Sequence, residues 1–268
     1  MNNTFSIQRF GLLLKRQWLE FGKIYLVSLL VALGVFIAFY GVGLWDQLME
    51  GETISASDLH FREPLFMVFG FIFISVIAST YFAHLGQKPR AIIDLLIPAS
   101  TFEKFIAGVF FTAILAVFSF LLLFYLTDLA FIAKLRAMYP ELVKISTNVQ
   151  ETNEGGLSYF FTKNDLNNFI PIYIVPFFIT SVFLLGSIYF NKFHYIKTAI
   201  SVMIFVGVST YIIVKSGEFL MSGRIPIESE QQFIGQQNLA ELWGTILLAV
   251  LTLIFWSITY VRLKEKEV

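Results

Sequence analysis

The residues able to do chemistry are few, and none falls into a catalytic pattern. There is no G-x-x-x-x-G-K-[ST] loop to cradle nucleotide phosphates and no H-E-x-x-H pair to hold zinc. His60, His84 and His194 are too far apart in the chain to suggest a metal site. No serine is paired with a base in an apolar stretch, so a nucleophilic hydrolase has no support. Cysteine is absent, which removes disulfides and thiolate ligands. Catalytic, cofactor-binding and metal-binding residues are all expected to be none. The carboxylates and histidines nearest the apolar segments are His84, Asp128 and Glu241, each at a segment end. Proton-coupled carriers place such groups inside the membrane, so the pattern argues against one.

The elements that would have to position any chemistry are apolar helices. The 268 residues are 57% hydrophobic and 14% charged, and Phe alone occurs 31 times. A soluble domain carries about 25% charged residues, so lipid must face much of this chain. Six stretches approach the roughly 20 apolar residues that cross a bilayer. They are 24–45, 65–83, 105–127, 170–190, 198–214 and 242–261, and none contains Asp, Glu, Lys, Arg or His. The fourth carries Pro171 and Pro176 and is expected to bend. The expected fold is all-α: a single polytopic membrane domain over residues 1–268. The N-terminus lacks the pattern of a cleaved signal, so the first run is expected to stay as an anchor.

Lys and Arg set the expected orientation. Residues 1–23, 87–104, 191–197 and 262–268 hold twelve of the 19 basic residues and five acidic ones; the other side holds seven and 14. Both termini are therefore expected in the cytoplasm, in a multi-pass protein of the inner (plasma) membrane. Lys134 and Arg136 run against the rule. With a net charge of zero, no nucleic-acid partner is expected.

The basic side carries the most structured connections. Residues 5–21 read as an interfacial amphipathic helix, with Phe10, Leu13, Leu14, Trp18 and Phe21 in one arc. Leu12 and Leu19 fall on its polar side and suggest a surface that something else covers. Between spans two and three, Pro89 opens a short segment with Arg90 and Asp94 four apart and Ile92, Ile93, Leu95 and Leu96 apolar. That pattern suits a short helix on the membrane surface. Pro98 ends it, and Ser100-Thr101-Phe102-Glu103 forms a capping box that starts the third long helix near Thr101. This helix is expected to reach about Ala133, beyond the hydrocarbon core. On the other side, 134–169 holds NVQETNEGG, aromatics at 159–161 suited to a lipid boundary, and a cap at 162–165.

The run Leu95-Leu96-Ile97-Pro98-Ala99-Ser100-Thr101-Phe102-Glu103-Lys104 is similar to the leucine-leucine-x-proline-x-serine stretch before the third span of ABC-2 type permeases. The layout of the whole chain resembles that family, as do residues 186–197 and 259–266. The resemblance implies a non-catalytic subunit that couples ATP hydrolysis by a separate ATPase subunit to export. It implies a coupling helix contacting that ATPase through Arg90, Asp94, Leu95, Leu96, Pro98, Glu103 and Lys104. It also implies a second permease subunit, identical or not. The outer segment between spans three and four is longer than compact members have. The reading from another class is a membrane scaffold that anchors a complex without transport. No residue pattern chooses a substrate.

Overall fold

A chain this apolar can satisfy its backbone in lipid only within helices or closed barrels. The computed structural model describes residues 5–49, 59–86, 96–139, 159–161, 170–221 and 230–266, and these are helical apart from turns and short connections. In chain order the helices are α1 (Ile7–Gly43), α2 (Trp45–Met49), α3 (Arg62–Tyr81), α4 (Thr101–Met138), α5 (Ile170–Tyr189), α6 (His194–Met221) and α7 (Glu230–Lys266). A single 3₁₀ turn, Ala83–Gly86, follows α3. Five helices are long and apolar enough to cross a membrane: α1, α3, α4, α6 and α7. Helix α5 is a further apolar helix with Pro176 inside it.

Two expectations need revision. Residues 5–21 do not form a helix of their own, because α1 runs as one helix of 37 residues through both the surface stretch and the first span. No proline interrupts it, and Gly22 stays helical beneath the Trp18 indole, which lies 3.2 Å from where a Cβ would be. The apolar arc is nonetheless real. Leu13 is buried and Phe10, Leu14 and Phe21 are half-buried, whereas Leu12 and Leu19 are each 69% exposed. Second, α4 extends to Met138 and is not uniformly α-helical. Residues Phe110–Leu115 widen into a π-helical turn, and the Ala116 N–H bonds the Phe111 carbonyl. Tyr25 of α1 donates its hydroxyl to the Leu115 carbonyl at the end of this turn (3.1 Å), beside Ser119. The surface helix expected at 89–96 and the cap at 162–165 fall outside the described residues, except for Leu96.

By internal contacts the chain divides into two units. One contains Ser6–Ile77 and Val109–Phe169. Its core is an aromatic stack. Phe36 meets Phe124 edge-on at 5.4 Å and Phe120 at 5.7 Å, and Phe66 lies 4.9 Å from Phe124. Lipid tails are as apolar as leucine, so burial alone does not hold helices together there. Edge-to-face ring pairs add a directional attraction of about 0.5–1.5 kcal/mol each. Gly70 makes room for the stack: a Cβ there would lie 3.0 Å from the Phe120 ring.

The second unit contains Met1–Phe5, Ala78–Gly108 and Ile170–Val268. Here α5 is the central helix, packed on α7 and α6. Phe183 stacks on Tyr195 at 5.4 Å, and Phe178 lies 5.8 Å from Phe255. The α5–α6 crossing closes on Gly186, where a Cβ would fall 1.9 Å from Thr198 Oγ1 and 2.7 Å from its Cγ2. Thr198 is itself buried and its hydroxyl donates to the His194 carbonyl. Gly186→Ala should therefore force these helices apart and cost about 1–3 kcal/mol. Thermal unfolding in detergent will show it; Gly207→Ala, where nothing lies within 4 Å, is the control expected to leave the melting temperature unchanged.

Candidate functional site

Within the second unit, the capped start of α4, the expected short connection, and the described terminal residues Phe5 and Lys266 come to one end. The capping box forms as the sequence suggests. The Ser100 N–H donates to Glu103 Oε2 at 2.9 Å, and the Glu103 N–H donates to Ser100 Oγ at 3.2 Å. This satisfies two of the donors that every helix start leaves open. Phe102 and Phe105, from the first two turns of α4, contact the ring of Tyr260 near the C-terminus of α7 at 6.1 and 5.6 Å. Phe5, at the N-terminus, meets Phe102 at 6.3 Å. Lys266 Nζ reaches Asn191 Oδ1 at 3.5 Å, in the turn between α5 and α6. Gly86 sits under that turn, where a Cβ would lie 2.9 Å from the Asn191 carbonyl oxygen.

The coupling candidates do not stand alike on this end. Leu96 is 78% exposed and Pro98 is exposed, so both offer surface. Glu103 is fully buried and Lys104 nearly so. Glu103 positions the start of α4 through the cap and presents no carboxylate to a partner. Arg90, Asp94 and Leu95 fall outside the described residues.

The first unit holds a polar cluster that the sequence reading left as an isolated span-end residue. Asp128 of α4 is 1% exposed and Arg62, at the start of α3, is 7% exposed. Their ion pair is 3.0 Å long. The same carboxylate oxygen accepts the Tyr40 hydroxyl from α1 at 2.8 Å. Its other oxygen accepts the Phe160 backbone N–H at 2.9 Å. Arg62 Nε donates to the Leu59 carbonyl, and its guanidinium lies 6.0 Å from the Phe160 ring centre. One carboxylate thus ties α1, α3, α4 and residues 159–161 together. The aromatics at 159–161, read as lipid-boundary residues, pack instead on the internal stack: Phe160 is 5.0 Å from Phe124, and Phe161 is 5.8 Å from Phe66. Tyr159 lies under the Arg136 guanidinium at 4.8 Å.

Two charges taken out of water are tolerable when each is matched and hydrogen-bonded, and breaking one side leaves the other stranded. Asp128 does not stand alone, because Arg62 pairs with it. Among the described residues no group of three His, Cys, Asp or Glu side chains could hold a metal. The sequence carried a usable sign of the pair: Arg62 and Asp128 have opposite charge and border spans two and three at the same expected side.

Asp128→Ala is expected to cost about 3–5 kcal/mol. Tyr40→Phe should cost about 1 kcal/mol, since it removes one neutral donor. The double replacement Arg62→Met with Asp128→Leu should recover most of the loss from Asp128→Ala, because no charge is then left unpaired. Melting temperatures of the three variants in one detergent provide the check. In comparisons with known proteins, no family model matches the chain, and it matches no curated protein and no solved structure.

Proposed function

We propose that the chain is the permease subunit of an ABC-2 type exporter, driven by a separate ATPase subunit. The observation that carries this reading is the arrangement at one end of the second unit. The capped start of α4, the α5–α6 turn, Phe5 and Lys266 gather there. In the proposed topology α5 crosses as the fourth of six spans, so an even number of crossings places both termini on the same side. The Lys and Arg excess makes that side cytoplasmic.

The mechanism follows from rigidity. Helix α4 has 38 residues, about 57 Å at 1.5 Å per residue, against a hydrocarbon core of about 30 Å. Its first turn is fixed by the cap and by Tyr260, so a displacement at Leu96–Pro98 is transmitted into the helix rather than absorbed by fraying. The chain supplies no nucleotide loop, so force comes from the partner. A second permease subunit completes the pathway. The matched Arg62–Asp128 pair does not favour a proton-driven carrier over this reading.

Purification in mild detergent from the source cell is expected to bring down an ATPase subunit. Leu96→Glu combined with Arg90→Glu should lower substrate-stimulated ATP hydrolysis at least tenfold without lowering the melting temperature, since Leu96 is 78% exposed. If no ATPase accompanies the protein and ATP drives no flux in proteoliposomes, the permease reading fails and the scaffold reading replaces it.

A further inference from the structure

The turn between α5 and α6 carries a feature that internal packing does not account for. Phe193 has φ 54°, the left-handed conformation, and its side chain is 70% exposed. That backbone is unfavourable for a residue with a bulky Cβ substituent, and Gly or Asn would adopt it more readily. An exposed ring returns little to the fold, so its benefit must come from outside the chain. The turn and the end of α7 that reaches it carry several cations. Lys192, Lys197, Lys264 and Lys266 are exposed. Lys197 lies 5.7 Å from the Phe190 ring, and Lys266 reaches Asn191 in the turn itself. Arg262 stacks on Tyr189 at 5.5 Å.

Among the described residues, acidic groups do little to offset this charge. Among the described residues at this end itself (96–105, 186–200 and 259–266), the acids are Glu103, buried in its cap, and Glu265, paired with Arg262 at 2.7 Å. The patch is also continuous with bare aliphatic surface. Ile196 and Ile200 of α6 are 55% and 51% exposed, and Val261 of α7 is 52% exposed. An apolar helix wall passing directly into a basic rim with one protruding ring matches the boundary between acyl chains and phosphates.

We propose that this turn and the end of α7 form a binding surface for anionic phospholipid headgroups. Phe193 enters the headgroup–acyl boundary and Lys192, Lys197 and Lys266 meet the phosphates. A docked protein would need a surface that accepts lysines and bare aliphatic helix walls together. An anionic leaflet supplies both at once. The inference does not depend on the permease reading, because it needs neither an ATPase nor a substrate.

The native chain has no cysteine, so Ile196→Cys gives a unique labelling position. The dye-labelled full chain is reconstituted in phosphatidylcholine nanodiscs. These contain a small matched fraction of brominated phosphatidylglycerol or brominated phosphatidylcholine as quencher. Near-surface lysines concentrate anionic lipid by about fivefold each, so quenching by the anionic lipid should exceed that by the zwitterionic one several-fold. Lys192→Gln, Lys197→Gln and Lys266→Gln together should bring the two to parity, with an unchanged melting temperature showing that the variant is folded. Phe193→Gly should reduce the preference while leaving the melting temperature unchanged or raised. Equal quenching in the unaltered surface overturns the proposal, as does a preference that survives the triple replacement. A fall in melting temperature for Phe193→Gly would make the ring an internal packing group and overturn it too. If the triple variant keeps its lipid preference but loses a co-purifying ATPase, the surface belongs to a protein partner.

Discussion

A buried polar group costs free energy unless it finds a partner, and lipid offers none. The Asp128 carboxylate meets that constraint completely. Its two oxygens accept from a guanidinium, a phenol and a backbone amide. Each donor comes from a different part of the unit: α3, α1 and residues 159–161. Three packing choices are thereby fixed by one side chain. Apolar ring contacts tolerate sliding by an ångström, whereas charge-assisted hydrogen bonds at about 2.8–3.0 Å do not. The aromatic stack fills the core, and the carboxylate sets its register.

The hydroxyl residues repeat the same logic on a smaller scale. Ser28, Thr127, Thr180, Ser187, Thr252 and Thr259 each return their hydroxyl to a carbonyl three or four residues back. Such back-bonding lets a polar side chain sit in an apolar helix without a neighbour. Tyr25 cannot do this, since its hydroxyl lies too far from its own backbone. It bonds across to Leu115 at the end of the π-helical turn. A π turn widens the backbone hydrogen-bonding pattern, and a donor from α1 supports this one from the side.

Local chemistry was legible in the sequence, and long-range pairing was not. The capping box at Ser100 and Glu103 depends on residues three apart, and it forms as read. The apolar arc of residues 10–21 depends on helical periodicity, and burial follows it at Phe10, Leu13, Leu14 and Phe21 but not at Trp18, which is 41% exposed. Whether α1 breaks after Phe21 was harder to read, because Gly22 and Lys23 permit both a break and a continuous helix; the Trp18 ring over Gly22 accompanies the continuous form. The π turn left no mark either, since FFTAIL suits any apolar helix. Asp128 was visible only as a span-end carboxylate. Its partners lie 66 and 88 residues back and 32 ahead, separations that no periodicity encodes. The aromatics at 159–161 were misjudged for the same reason, since a lipid boundary and an internal stack select the same residue types.

Glu103 shows how this limits the reading of the coupling segment. Its charge and position invite a role in partner contact, yet it is fully buried and occupied by the Ser100 amide. A carboxylate used as a cap cannot also serve as an exposed docking group, because withdrawing it would reopen the helix start. Its contribution to this end of the molecule is therefore geometric. It holds the first turn of α4 closed, with Phe102 and Phe105 seated on Tyr260, while Leu96 and Pro98 beside it stay exposed. Removing the cap would loosen the joint before it altered the surface, which separates a positioning residue from a contact residue at the same end of the molecule.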